Sequence, residues 1–442
     1  MLPVILLITL CFIFGERFII ALILITLFTL VGELNESLRA VVQITDFILL
    51  GIIFLKRFGL NFKEYPHVPK SIRYLVLLYF SAMIISAVMS SYPFAGIGII
   101  GRQAAFFIIV YIFYALIQDI AVIKNYINAL MIVAVIYVII SLIAFFFEGY
   151  SLIDILSKNR TRISIVITNP EALTNFYIFS FPIAITFFLL KKQKFYRVIS
   201  LLFLFFISLG IMLTMARSSI LAILLSSSIL FFMIKRKLFY RFLFVIICIG
   251  LLILFYPPLN EIVTLFFRIE EGMSARDYIW SMSLNIIRDH PVFGLGPGAY
   301  RYEVFNYFPY MFSDWWGKLM IYFYNVSGGV NFSHNYFLVL FTELGILGLV
   351  TAITLPIIFF RIGIKTIKKY RTEAKNTYYL IIALFAIGAS IILRNFFNSI
   401  GILYIGGLTT DLPFWLVFSS LIYFYLIPIV GKSKPEKQIF QT

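Results

Sequence analysis

The chain has 442 residues, 62% of them hydrophobic and 13% charged, with 36 Lys and Arg against 20 Asp and Glu for a net charge of +16. Soluble domains are roughly half apolar and a quarter charged, so a water-soluble fold is excluded. The basic excess does not point to nucleic acid, because it falls in short clusters between long apolar runs, the pattern that orients a membrane protein.

In chain order, residues 1–31 form an apolar stretch interrupted at Gly15, Glu16 and Arg17, read here as one long helix rather than two short ones. That choice puts the N-terminus in the cytoplasm, and no small-residue cleavage site follows. Further spans are predicted at about 39–56, 73–91, 103–118, 124–147, 171–190, 198–214, 218–234, 242–257, 334–360, 376–393 and 412–431. Runs of roughly 17 to 25 residues suit a hydrocarbon core of about 30 Å at 1.5 Å rise per residue. A β-barrel would show alternating segments of about ten residues instead. With these spans, the clusters Lys56 to Arg73, Lys191 to Arg197, Lys235 to Arg241, Arg361 to Lys375 and Lys432 to Lys437 all land on one side, the expected cytoplasmic side.

The fold class is therefore an all-α polytopic membrane protein with about twelve transmembrane helices and a large, partly helical outer loop. An N-terminal bundle of about nine spans covers 1–257, the large outer loop 258–333, three C-terminal spans 334–431 and a cytoplasmic tail 432–442, with a second outer loop at 148–170. Cys11 and Cys248 lie inside apolar runs, which leaves no disulfide framework or cysteine metal site. Within the large loop, Ser274 can cap a helix over about 275–289 with Asp277 three residues on, and Pro291 ends it. The following Gly294 to Tyr300 lacks the strand and βαβ context of a dinucleotide loop and is read as a closely packed turn, so no cofactor is expected.

The two sides use different cations: cytoplasmic loops carry 16 Lys and 7 Arg, the outer loops and membrane segments 2 Lys and 11 Arg. Lysine is a point charge, whereas arginine presents a planar fork suited to phosphate, so the outer surface reads as anion-binding. The alternative is that these arginines snorkel or pair with Glu270, Glu271 and Asp289. Arg217 stands between two spans among small and apolar neighbours, and a cation there needs a partner. Arg276 sits in the first turn of the capped helix, where the backbone N–H groups add positive potential. Arg160 and Arg162 precede an Asn169-Pro170 step in the other outer loop, and Arg102 and Arg394 are secondary candidates. His334 follows Ser333, a plausible N-cap, at the outer end of a long span whose dipole favours a neutral, proton-accepting imidazole; an interfacial capping histidine is the alternative. Glu343, about 13 Å deeper on that helix and facing away, is expected to bond an internal cation or hydroxyl. No D-x-D pair, HExxH or G-x-S-x-G motif occurs, so a metal-held diphosphate has little sequence support.

SHNYFLVLFTELGILGL, residues 333–349, resembles the hallmark of the O-antigen ligase and O-antigen polymerase superfamily of bacterial envelope enzymes. TMARSSI (214–220) resembles the family's arginine motif between two spans, and SARDYIWSMSLNIIRDHPVFGLGPGAY (274–300) its large outer loop. RISIVITNPEALTNF (162–176) is similar to its arginine and Asn-Pro motif, with Glu171 where a second asparagine is common. The resemblance implies a metal-independent glycosyltransferase of GT-C type in the inner membrane. It would move a glycan from an undecaprenyl-diphosphate carrier to a glycan or lipid acceptor on the extracytoplasmic face. On that reading His334, Arg217 and Arg276 are catalytic, with Arg162, Arg160, Asn169, Asn335 and Tyr300 at the substrate. Ligase and polymerase both remain open. A transporter or flippase of lipid-linked glycans is the alternative of another class, against which stands the absence of an internal repeat or paired broken spans.

Overall fold

The computed structural model describes residues 36–61, 64–150, 170–266, 276–307, 332–403 and 408–428, and among these all regular structure is helical. The question of one or two helices in 1–31 and the basic tail from Lys432 fall outside the described residues.

Helix α1 (Glu36–Phe58) ends on Lys56 and Arg57. Helix α2 (Lys70–Met89) follows Pro69, and α3 (Pro93–Ala115) starts with proline in its first turn. Proline is pre-organised there and lacks only an N–H that would be unsatisfied anyway. The helix thus begins well before the predicted residue 103, through Gly96, Gly98 and Gly101, which carries Arg102 more than two turns inside it. Asp119 caps α4 (Ile120–Phe147), its carboxylate accepting from the Val122 N–H at 3.0 Å. Helices α5 (Pro170–Leu190), α6 (Lys194–Thr214), α7 (Arg217–Ile234) and α8 (Arg236–Phe255) follow with short turns. The large loop contributes α9 (Pro257–Phe266), α10 (Arg276–Asp289) and a single turn, Tyr300–Glu303, that tightens into a 3-10 turn to Tyr307. Helices α11 (Tyr336–Lys369), α12 (Lys375–Arg394) and α13 (Leu408–Leu426) complete the chain.

Each of the eleven spans predicted after residue 38 falls on a helix. Among the described residues, nine helices are long and apolar enough to cross a membrane, with Thr410–Leu426 a shorter apolar one. One apolar core, from Leu49 to Phe424, joins the N-terminal and C-terminal helices. α5 and α12 lie at its centre, 72% of each apolar window being buried, whereas no residue of α8 is buried. Small residues allow close approach in such bundles: a Cβ at Gly388 would meet the Phe359 ring, and the Phe359 and Phe385 rings stack at 5.9 Å.

The helices share two ends. At one, Lys369 Nζ donates to the carbonyls of Phe424 and Tyr425 at 2.9 and 3.0 Å and to that of Ile427, while the Tyr423 hydroxyl donates to Gln118 O at 2.7 Å. By helix order, the turns that carry the basic residues of 56–73, 191–197, 235–241 and 361–375 fall at this end. At the other, the starts of α5, α7, α11 and α13 meet the ends of α2, α6 and α12.

Candidate functional site

The site is built at the end opposite the basic clusters, around the start of α11. Asn335, not Ser333, is the N-cap: its Oδ1 accepts from the N–H groups of Phe337 and Leu338 at 2.9 and 3.1 Å. Ser333 instead makes a long 3.4 Å contact with Asn335 O. The helix therefore starts at Tyr336, and His334 stands outside it with φ +50°. Histidine is among the few residues that enter this left-handed region readily, but the conformation still has to be held. It is held on both sides. The Asn335 Nδ2 donates to Phe396 O at 2.8 Å, and the Tyr336 N–H to the carbonyls of Asn395 and Asn398 at 3.0 and 3.1 Å. The imidazole lies 4.6 Å from the Phe332 ring and is half-buried.

The loop that clamps His334 leads into a buried polar cluster. Arg394, only 2% exposed, donates to Asn175 Oδ1, and the Asn175 Nδ2 donates to Thr410 O at 3.0 Å. Asp411 Oδ1 accepts from the Gly401 N–H at 2.8 Å and from the Thr410 hydroxyl at 3.3 Å. Three helix ends, from α5, α12 and α13, are thus tied beside the histidine by a charged network. Of these residues only Arg394 is singled out by the sequence, and then as a secondary candidate. The available signal is a polar residue at the end of an otherwise apolar span, as with Asn175 in α5 and Asp411 in α13.

Arg217 opens α7 after a left-handed Met215 (φ +50°) and is half-buried. Its end of the bundle is the same one. Gly210, a turn earlier in α6, lies against the Tyr177 ring of α5, and α7 packs on both α5 and α12. Arg276 begins α10, which buries Ile279, Met282 and Ile286 against Leu295, Ala299, Tyr300 and Val304. Ser274 lies outside the described residues, as do Arg160, Arg162 and Asn169.

The turn at 294–300 locks into α11, which is not continuous. Gly345 has φ +63° and ψ −153°, breaking the helix one residue after Leu344. Across the break the Leu295 and Gly296 N–H groups donate to the carbonyls of Thr342 and Glu343, each at 2.9 Å, and the Ile346 N–H donates back to Pro291 O at 3.0 Å. Ser86 of α2 donates to the same Glu343 carbonyl at 2.6 Å. A Cβ at Gly345 would overlap the Val292 carbonyl, and one at Gly294 would overlap the backbone of Glu343 and Gly345, so both positions need glycine for conformation and for space.

This geometry corrects the expectation for Glu343. Among the described residues its carboxylate, 4% exposed, meets neither a cation at bonding distance nor a hydroxyl. It faces the backbone amides of Gly298 and Tyr300 in the field of Arg301, and its Oε1 has no hydrogen-bond partner among the described residues. Tyr300, expected at the substrate, is 1% exposed with its hydroxyl 3.0 Å from Ser283 Oγ, and burial pushes that hydroxyl up to about 12. Asn335, expected there as well, has both side-chain polar atoms committed to the cap and to Phe396. Tyr92, at the α2–α3 corner, stacks on Tyr302 at 4.9 Å, and its hydrogen bond to Glu303 raises its pKa.

Residues 201–353 match the family model described as O-Antigen ligase. The match supports the O-antigen ligase/polymerase superfamily for this chain. It covers roughly a third of the 442 residues and includes Arg217, Arg276, the locking turn, the break in α11 and His334. No curated protein matches the chain.

Proposed function

We propose that the chain is a membrane glycosyltransferase that takes a glycan from an undecaprenyl-diphosphate carrier and joins it to an acceptor hydroxyl on the outer face of the cytoplasmic membrane. The observation that carries this reading is the single family-matched stretch holding Arg217, Arg276 and His334 together. It is supported by Arg217 and His334 sharing one bundle end and by α10 packing on α11 at that end.

In the proposed step the acceptor oxygen attacks the anomeric carbon while the bond from that carbon to the diphosphate oxygen breaks. His334 accepts the acceptor's proton, and the charge gained by the departing undecaprenyl diphosphate falls to Arg217 and Arg276. Fixed forked cations at a partly dry site stabilise such developing charge without reorganisation. Arginines thus supply the positive charge that a metal supplies in other diphosphate chemistry. Asn335 is a positioning residue, since its cap and its bond to Phe396 set the backbone that presents His334. Tyr300 positions the turn. Arg160, Arg162 and Asn169 are assigned to the sugar and phosphate side of the donor.

The test is glycan transfer from a lipid-linked donor by purified protein without nucleotide or ion gradient, which also separates an enzyme from a transporter. Arg217→Ala is expected to lose product formation about 10²–10³-fold while still inserting and purifying normally, the range seen when one stabilising donor is removed. Wild-type transfer by that variant would remove Arg217 from the diphosphate. His334→Ala should lower kcat with little change in donor KM, and an equal loss of both would make the histidine structural.

A further inference from the structure

A cavity lies at the opposite end of the bundle from His334. α2, α3 and α13 enclose about 620 Å³ there, with walls such as Phe80, Phe107, Trp415 and Ile422. The volume opens sideways, because Leu77 in its lining is 63% exposed on the outer face of α2. Its rim is basic: Arg73 and His67 line it and both are exposed, and Lys70 stands one turn before Arg73. Among the described residues no acidic side chain lines it, and Glu64 beside the rim accepts a hydrogen bond from Asn61 at 2.7 Å. The rim is also fixed in shape, since the Tyr111 and Tyr114 hydroxyls donate to the carbonyls of Pro66 and His67 at 3.2 and 2.7 Å.

An occupant must therefore be apolar over most of its length, enter from the bilayer, and carry negative charge at the level of the headgroups. A free anion leaves the apolar volume unused, and a neutral lipid leaves the basic rim unused. We propose that this cavity binds one anionic phospholipid of the leaflet at the basic end, an acyl chain filling the space between α2, α3 and α13 and the phosphate resting on Arg73 beside His67. Basic pockets between membrane helices on that side suit anionic headgroups. The site is independent of the transfer chemistry, which lies at the other end of the helices.

The experiment is lipid retention by the full-length protein, extracted in mild detergent and examined by native mass spectrometry after exchange with phosphatidylglycerol or phosphatidylcholine. One phosphatidylglycerol per chain is expected to persist where phosphatidylcholine does not. Arg73→Gln, a change on an exposed helix surface, is expected to weaken retention about fivefold, and Val76→Trp, which fills the cavity, to abolish it. Equal retention of the two lipids, or retention unchanged in Arg73→Gln, would overturn the proposal. So would displacement of phosphatidylglycerol by inorganic phosphate alone, which would reduce the site to a free-anion patch.

Discussion

A guanidinium that is 2% exposed inside a helical membrane bundle is stable only if its hydrogen bonds are met, since the desolvation cost of an ion in such a place is several kcal/mol. Asn175 answers part of that demand for Arg394 and passes the connection on to Thr410 O. Asn175→Ala is accordingly expected to destabilise the detergent-solubilised protein by about 1.5–3 kcal/mol, the value of a hydrogen bond to a charged group. Thermal unfolding reads it, and an unmoved midpoint would show that Arg394 does not lean on Asn175. Local sequence singles out Arg217, Arg276 and His334 as candidates, because each sits in a short segment whose composition is odd for its surroundings. It names Arg394 only as a secondary candidate and misses its company of Asn175 and Asp411, because Asn175 lies on a helix more than 200 residues before the other two. The cap of α11 is misassigned for a related reason. Ser333 and Asn335 are both good capping types, and only the left-handed turn at His334 decides between them.

At the scale of elements, the informative case is α11. Hydrophobic periodicity runs unbroken through SHNYFLVLFTELGILGL, so a continuous helix is the natural reading of that segment alone. The break at Gly345 is imposed by backbone partners some 50 residues earlier, at Pro291 to Gly296. Gly345→Ala would force a side chain into a backbone region nearly confined to glycine, at about 1–3 kcal/mol, and into the Val292 carbonyl as well. The expected outcome is release of the 291–300 turn, seen as new protease cleavage there, together with loss of glycan transfer. Gly98→Ala in α3, where a Cβ meets open space, is the control and should change neither. Persistence of a protected turn in Gly345→Ala would mean that the turn is held without the break. The late start predicted for α3 has a similar origin, since three glycines and a proline read as a loop, yet proline suits a first turn and Gly96 packs closely on Ala87 and Pro297.

For the molecule as a whole, apolarity reveals which segments cross the membrane but not which are central. α8 is more apolar than α12, with mean hydropathies of 2.7 and 1.9, yet none of it is buried while 72% of the α12 window is. In a bilayer the most apolar faces turn toward lipid, and close helix packing draws on small and polar residues. The proposed orientation rests on the basic end and is directly testable. In a background of Cys11→Ser and Cys248→Ser, Ser91→Cys should react with a membrane-impermeant maleimide in intact cells. Lys192→Cys should react only after permeabilisation. The reverse pattern would turn the His334 end toward the cytoplasm and end the proposed reaction scheme. The lock between the turn and the broken helix also bears on biogenesis. The carbonyls of Pro291 and Val292 are synthesised before the Ile346 N–H that they receive. An orphan N–H inside hydrocarbon costs several kcal/mol. On the proposed orientation the earlier segment must already be across the membrane when α11 leaves the insertion machinery, so a delay in exporting it is expected to stall the last three helices as well.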